Sequence, residues 1–305
     1  MSSLILSNCT SKKWAKLEKI FPDQDLFELD NPDQFIESWF YQINQSANKN
    51  RAIEVYKGRT VTEIIHAKKI INAKIFFLSA GLGLVAEDDL IPSYDLTISS
   101  GTNSLKPLLE TWSINEGTWG KKLLQHSNLE HIFQNYQGEI FIALPHSYLK
   151  MFLPIIENLS TSITNRFRLF LHPTSYKILP DIIKKSYIPY TYKIESTPFS
   201  GTKVDYCQRC LHHFIKYIYQ PNQDLDSSIS AVENFLSTIP DAPEQSKRQR
   251  VSDSEIIKFI LEGWETCEGR SLKLLRYIRD EKQVACEQSR FKNLWRETKH
   301  HKDIG

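Results

Sequence analysis

Lys74–Ser99, KIFFLSAGLGLVAEDDLIPSYDLTIS, is the stretch on which the reading of the fold turns. Ile75-Phe76-Phe77-Leu78 is a short apolar run rich in β-formers, which reads as a buried strand, and Ser79-Ala80-Gly81-Leu82-Gly83 then supplies a flexible turn. Glu87-Asp88-Asp89 follows, and Pro92-Ser93-Tyr94-Asp95 leads into a second short run. In an α/β sheet, ligands bind beyond the carboxyl ends of the strands, where helix N-termini and free backbone N–H groups converge. Four carboxylates within nine positions of such a loop make Asp95, Asp88 and Asp89 candidates for chemistry. The same residues would also serve as a solvated acidic loop closed by a proline turn.

Toward the N-terminus, Leu4-Ile5-Leu6 opens the chain as a first strand and runs into Asn8-Cys9-Thr10-Ser11-Lys12-Lys13. Small hydroxyl residues with two lysines after a strand make an anion-binding loop, because hydroxyls and backbone N–H groups face a phosphate while the lysines supply charge. An ordinary strand-to-helix turn fits the same residues. Phe35, Ile36, Trp39, Phe40 and Ile43 have helical spacing, Ala52–Gly58 looks extended, and Thr60–Asn72 is helical with Thr60 or Thr62 as its cap.

Toward the C-terminus, Leu105–Gln134 is helical but interrupted at Gly117 and Gly120, with Trp112 and Trp119 as core anchors. Glu139–Leu144 is a buried strand ending at Pro145-His146-Ser147-Tyr148, with a helix to Asn158. Arg168–Leu171 is another strand, ending at His172-Pro173-Thr174-Ser175-Tyr176. Tyr187–Tyr192 reads as an edge strand, and Tyr206–Tyr219 and Asp226–Ser237 as closing helices. This alternation predicts an α/β domain over 1–237, a mostly parallel sheet with helices on both faces and its loops gathered on one rim.

The 305 residues are 41% hydrophobic and 24% charged, with no long uncharged apolar run and no signal-peptide pattern. That composition predicts a cytoplasmic globular protein with one sizeable core and an appendage. Five cysteines, an odd number scattered along the chain, imply no disulfide framework. Cys207-Gln208-Arg209-Cys210 is a lone CxxC, and a structural zinc site needs a second ligand pair at compatible spacing, so no metal is expected.

A net charge of +2 rules out a polycation, but its distribution is uneven: Lys247–Gly305 holds 14 Lys/Arg against 10 Asp/Glu. Thr238–Ser252 (TIPDAPEQSKRQRVS) reads as a basic linker. Ser252-Asp253-Ser254-Glu255 is a capping box before the first of three short helices, which Gly269 ends; Ser271–Glu281 and Val284–Lys299 supply the others. Residues 253–305 thus fit a helix-turn-helix module whose outward face carries Arg270, Lys273, Arg276, Arg279, Gln288, Arg290, Lys292 and Arg296, suited to double-stranded DNA. A trihelical protein-interaction bundle fits the same pattern.

The first-strand loop Asn8–Lys13, the Tyr56-Lys57-Gly58 element, and above all Leu78-Ser79-Ala80-Gly81-Leu82-Gly83-Leu84-Val85 followed by Pro92-Ser93-Tyr94-Asp95 resemble the YaaA-related domain family. The resemblance covers about the first two-thirds of the chain and implies a uracil-DNA-glycosylase-like fold. Within that neighbourhood the chain is similar to DNA glycosylases that inhibit bacteriophage replication by removing glucosylated hydroxymethylcytosine from phage DNA. His172-Pro173-Thr174-Ser175 is similar to the His-Pro-Ser motif of uracil-DNA glycosylases, whereas the loop after the first strand lacks their water-activating Asp.

Breaking an N-glycosidic bond places positive character on the sugar and negative charge on the departing base, so the site needs a carboxylate near C1′ and a donor near the base. Asp95 is the first choice for the carboxylate, with Asp88 or Asp89 behind it; a turn aspartate capping its own backbone is the alternative. Tyr94 is placed to stack on an extruded base, with Ser79, Gly81 and Asn8 beside it. His172 would stabilise the leaving base or hold a phosphate, although both His172 and His146 fit satisfied loop histidines. Ser11, Lys12 and Lys13 would grip the DNA backbone. Hydrolysis of this kind needs no cofactor, and no P-loop or dinucleotide fingerprint is present. A non-catalytic DNA-binding regulator or stress protein, or a deazaguanine-type base transglycosylase, fits the same residues.

Overall fold

Four apolar runs, at Leu4, Ile75, Ile140 and Phe167, become parallel strands in a computed structural model that describes residues 2–14, 17–99, 103–125, 127–241 and 248–304. The chain divides into two compact units, Met1–Ala242 and Pro243–Gly305. Of the linker expected over 238–252, residues 242–247 lie outside the described residues.

The strands of the first unit are β1 (Leu4–Asn8), β2 (Asn50–Arg51), β3 (Lys74–Ser79), β4 (Gly83–Ala86), β5 (Leu90–Ile91), β6 (Ile140–Ala143) and β7 (Phe167–Phe170). Five of them form one sheet in the order β4-β3-β1-β6-β7, in which only β4 is antiparallel to its neighbour; β2 and β5 make a separate two-residue ladder. Along the chain, the four parallel strands therefore lie in the spatial order second, first, third, fourth. Progress across the sheet reverses after β3, which puts a topological switch point between β1 and β6.

β1, β6 and β7 are buried along their whole length, as strands covered on both faces must be. Ile140 is the register partner of Phe167, so Phe141 and Phe167 point to opposite faces. Phe141 packs on Phe214 of one helix, and Phe167 on Phe133 of another. The helices that matter here are α1 (Pro32–Asn44), α2 (Arg59–Ile71), α3 (Glu116–Leu124), α4 (His146–Ile156), α5 (Tyr206–Tyr217) and α6 (Leu225–Ser237). Trp112 and Trp119 stack at 6.0 Å and are core residues, their indole N–H groups donating to Leu29 O and Ala80 O.

Several local expectations are corrected. The Leu105–Gln134 stretch breaks not at its glycines but at Ser113, which has φ +54°, and again before the helix Leu129–Gln134. Gly117 and Gly120 lie inside α3, where a side chain on Gly120 would run into the Met151 carbonyl of α4. Ala52–Val55 is a helical turn instead of an extended segment. α2 is capped by Gly58, at φ +106° and with no side-chain cap, instead of by Thr60 or Thr62. Tyr187–Tyr192 forms a single bridge to Leu169 before a 3-10 turn at Tyr192–Ser196.

The correction that places the site concerns the opening stretch. Gly83, at φ +72°, turns the chain into β4, which runs antiparallel down β3 and pairs Ala86 with Phe76. Glu87 N–H then donates to Ile75 O, and Lys74 holds both Glu87 and Asp88. The acidic cluster thus sits at the amino end of the parallel strands, about 13 Å of strand away from the edge where Asn8 and Leu78 are paired.

In the second unit, α7 (Asp253–Glu262), α8 (Ser271–Arg276, extended by a π turn at Tyr277–Glu281) and α9 (Gln288–Ile304) close around Ile256, Ile260, Leu274, Ile278 and Phe291. The capping box at Ser252 and Glu255 forms. α7 ends at Glu262, before Gly269; that glycine, at φ +62°, instead packs against Trp264 and accepts from the Trp295 indole at 3.0 Å. Among the described residues no helix is long and apolar enough to cross a membrane.

Candidate active site

A cleft of about 580 Å³ opens beyond the carboxyl ends of β1 and β6, at the switch point. Its walls come from four places: the loop after β1 (Asn8–Lys12), the entry to α2 (Lys57–Thr60), the side chains of Asp95, Thr97, Ser99 and Asn103, and Pro145 and Tyr148 at the start of α4. Val204 and Asp205 close the remaining side. The first turn of α2 has no side-chain cap, and this helix N-terminus lies at an edge that also carries Lys12, Lys57 and Arg59, a combination that favours anions.

Asp95 reaches the cleft through pairing between distant segments: Ile20 N–H donates to Ser93 O and Asp95 N–H to Ile20 O, both at 2.9 Å. Its carboxylate, 25% exposed, lies 3.5 Å from Lys19 Nζ. Asn8, Ser11 and Lys12 line the same cleft. Asn8 is held by its own bonds, donating to Cys9 O at 2.7 Å and accepting from Gln208 at 2.9 Å.

Other expected site residues are placed elsewhere. Asp88 is paired with Lys74 at the opposite end of the sheet, and Asp89 accepts from Ala86 N in the turn there. Tyr94 is fully buried, its hydroxyl bonded to Tyr56 at 2.7 Å and Ser79 at 2.5 Å, so its ring offers no face to a base. Ser79 Oγ also accepts from Gly81 N and Leu82 N, and Gly81 packs beneath Trp39, whose indole donates to its carbonyl. These three residues build the β3–β4 turn. Lys13 is buried, donates to Thr10 O and lies 4.5 Å and 4.8 Å from the Tyr94 and Tyr56 ring centroids. Burial lowers its pKa, opposed by Cys9 and Asp95. It braces the loop from beneath, leaving Lys12 as the exposed cation. His172 packs on Tyr206 and shares a 2.8 Å bond with the Tyr192 hydroxyl, outside the cleft lining, while His146 is bonded to Ser175 at 3.0 Å. Burial and then nearby cations lower the His172 pKa.

The structure adds residues to which the sequence reading gave no role in the site. Lys57 and Arg59 join the cationic wall, and Trp14, 37% exposed, lies beside Lys57 with its ring centroid 5.9 Å from Nζ. Tyr148 shares a 3.2 Å contact with Cys9 Sγ, and burial raises its hydroxyl pKa well above the ordinary value, so it keeps its proton. Asp205 accepts at 2.7 Å from Arg209, a fully buried cation that also binds Glu195 at 2.8 Å. Cys207 and Cys210 are free and buried on α5, and burial pushes the Cys207 thiol up to about 12.

Neither a protein-family model nor a curated protein matches the chain. In the second unit, four of the seven arginine and lysine side chains singled out for DNA are engaged locally, Lys273 among them through Glu268 at 2.8 Å. Arg270 pairs with Glu268, Arg279 donates twice to Cys286 O, and Arg290 joins Asp253 to Val251 O. Arg276 and Lys292 are exposed, and free to meet a phosphate.

Proposed function

We propose that the first unit is a DNA glycosylase of uracil-DNA-glycosylase-like fold, akin to the YaaA-related family, and that the second is a helix-turn-helix module for duplex DNA. The observation that carries the reading is Asp95: a carboxylate in a cleft at the sheet's switch point, with a cationic wall of Lys12, Lys57, Arg59 and an uncapped helix N-terminus. A nucleotide suits that arrangement, its phosphates on the wall and its sugar toward the carboxylate.

In the reaction, the C1′–N bond breaks with its electron pair leaving on the base. Asp95 offsets the positive charge growing on the sugar and takes a proton from the water that adds to C1′. The Tyr148 hydroxyl, which keeps its proton, donates a hydrogen bond to the departing base, and the proton that Asp95 takes from water returns through solvent to the base. Trp14 takes the stacking role that buried Tyr94 cannot fill. The products are a free base and an abasic site. The proposed substrate is a modified cytosine, glucosylated hydroxymethylcytosine in phage DNA.

The test is incubation of the full chain with that DNA, unmodified DNA and uracil-containing DNA, followed by counting abasic sites and weighing released bases. Release from the glucosylated substrate, lost in Asp95→Asn while DNA binding persists, supports the reading. Retained binding with no release from any substrate replaces it with that of a DNA-binding regulator.

A further inference from the structure

Helices α2 and α5 lie side by side on one face of the sheet, and three side chains meet between them. Glu63 and His66 are three residues apart on α2, which puts them on one face of that helix. His212 comes across from α5, and the three offer one ligand atom each, all within 4.8 Å of one another. His212 Nδ1 lies 2.6 Å from Glu63 Oε2, and the His66 and His212 ring centroids are 5.3 Å apart. Glu63 and His212 are buried, whereas His66 is exposed.

We propose that Glu63, His66 and His212 form a binding site for a divalent first-row transition metal, with zinc the natural probe. Two imidazoles and one carboxylate are borderline donors that suit zinc and its neighbours, and three protein ligands leave a fourth position for water. Metal–ligand bonds of about 2.0–2.2 Å in a tetrahedral array set donor atoms roughly 3.3–3.5 Å apart. A separation of 4.8 Å must therefore close by about 1.4 Å, which a rotation of the solvent-facing His66 ring can supply, and the 2.6 Å Glu63–His212 contact must open by about 0.8 Å as the ion replaces the shared proton. An outer shell is already built. Arg59 Nε donates to the other carboxylate oxygen, Glu63 Oε1, at 2.9 Å, and the Phe199 ring packs edge-on against His212 with centroids 5.0 Å apart. A Glu63–His212 ion pair would stand without His66; the third ligand, placed where an ion can enter from solvent, points to a metal. The ion would tie α2 to α5 and, through Glu63, hold Arg59 at the cleft. This inference does not depend on the reaction proposed above.

The experiment is calorimetric titration of the chelator-treated full chain with Zn²⁺, repeated with Co²⁺ to read the visible absorption of a tetrahedral site. One saturable equivalent is expected, with a higher Tm in zinc. His66→Ala, an exposed change that leaves the fold intact, should weaken binding by more than about tenfold and remove the Tm shift; Glu63→Gln should do the same. The inference is overturned by the absence of saturable binding, or by binding that is unchanged in His66→Ala, wherever else on the chain the ion then sits.

Discussion

Replacement of Arg209 by methionine tests the contact that holds the floor of the cleft. The Arg209 side chain is 0% exposed and its guanidinium makes four bonds: to Asp205 at 2.7 Å, Glu195 at 2.8 Å, Thr202 O at 2.8 Å, and Phe199 O. Removing one partner of a buried ion pair costs about 3–5 kcal/mol, because the charge left behind is neither solvated nor compensated. Two features favour the lower end. Asp205 keeps its bonds from Thr202 N and Oγ1, both at 3.0 Å, and Glu195, 20% exposed, keeps one from Gly201 N at 2.7 Å. Methionine refills most of the volume, so Arg209→Met should cost about 3 kcal/mol, a large share of the roughly 5–15 kcal/mol that holds a typical domain. Urea unfolding of the first unit in the full chain measures it as a lower midpoint at unchanged slope. The double change Asp205→Asn with Arg209→Met should recover part of the loss. A cost below about 1 kcal/mol, or no recovery, would refute the claim that Arg209 neutralises these carboxylates.

Further outcomes follow from other sites. Asp95→Asn removes only a partly exposed pair with Lys19, worth at most about 1 kcal/mol of stability, yet should cut base release by about 10²–10⁴-fold. Asp88→Asn should leave release unchanged and shift stability by less than about 1 kcal/mol, since its partner Lys74 is at the far end of the sheet. Tyr94→Phe deletes a hydroxyl bonded to Tyr56 and Ser79 and should cost about 1 kcal/mol in thermal unfolding, with DNA affinity retained. Gly120→Ala forces α3 from the Met151 carbonyl and should lower stability by about 2 kcal/mol or more in the same measurement. For His172, folding lowers the pKa below its usual 6.5, so the unfolded chain takes up a proton first. Its contribution is therefore complete above pH 6.5 and is lost as pH falls toward the folded pKa; stability of His172→Gln should depend less on pH across that window.

The sequence by itself determined what local periodicity encodes. Runs such as Ile75–Leu78 and Ile140–Ala143 are apolar and short, as covered strands are, and their alternation with helical segments points to a mostly parallel sheet with its loops gathered on one rim. Ser252 and Glu255 marked a helix start, since a capping box acts within four residues. Asn8, Ser11, Lys12 and Asp95 were legible as cleft residues because the first lie just past a strand end and Asp95 sits in a proline-led turn. What only the tertiary structure decided depends on pairing between distant segments. The direction of β4 sent Asp88 and Asp89 to the wrong end of the sheet, and the ladder of Ile20 with Ser93–Asp95 brought Asp95 back to the right one. Burial of Tyr94, Ser79 and Lys13 follows from which helices cover the sheet, and so does the approach of Lys57, Arg59 and Tyr148 to Asn8. Glu63 and His66 carry a helical spacing visible in the chain, but His212 joins them only because α5 packs on α2, an outcome of long-range burial that no local pattern records.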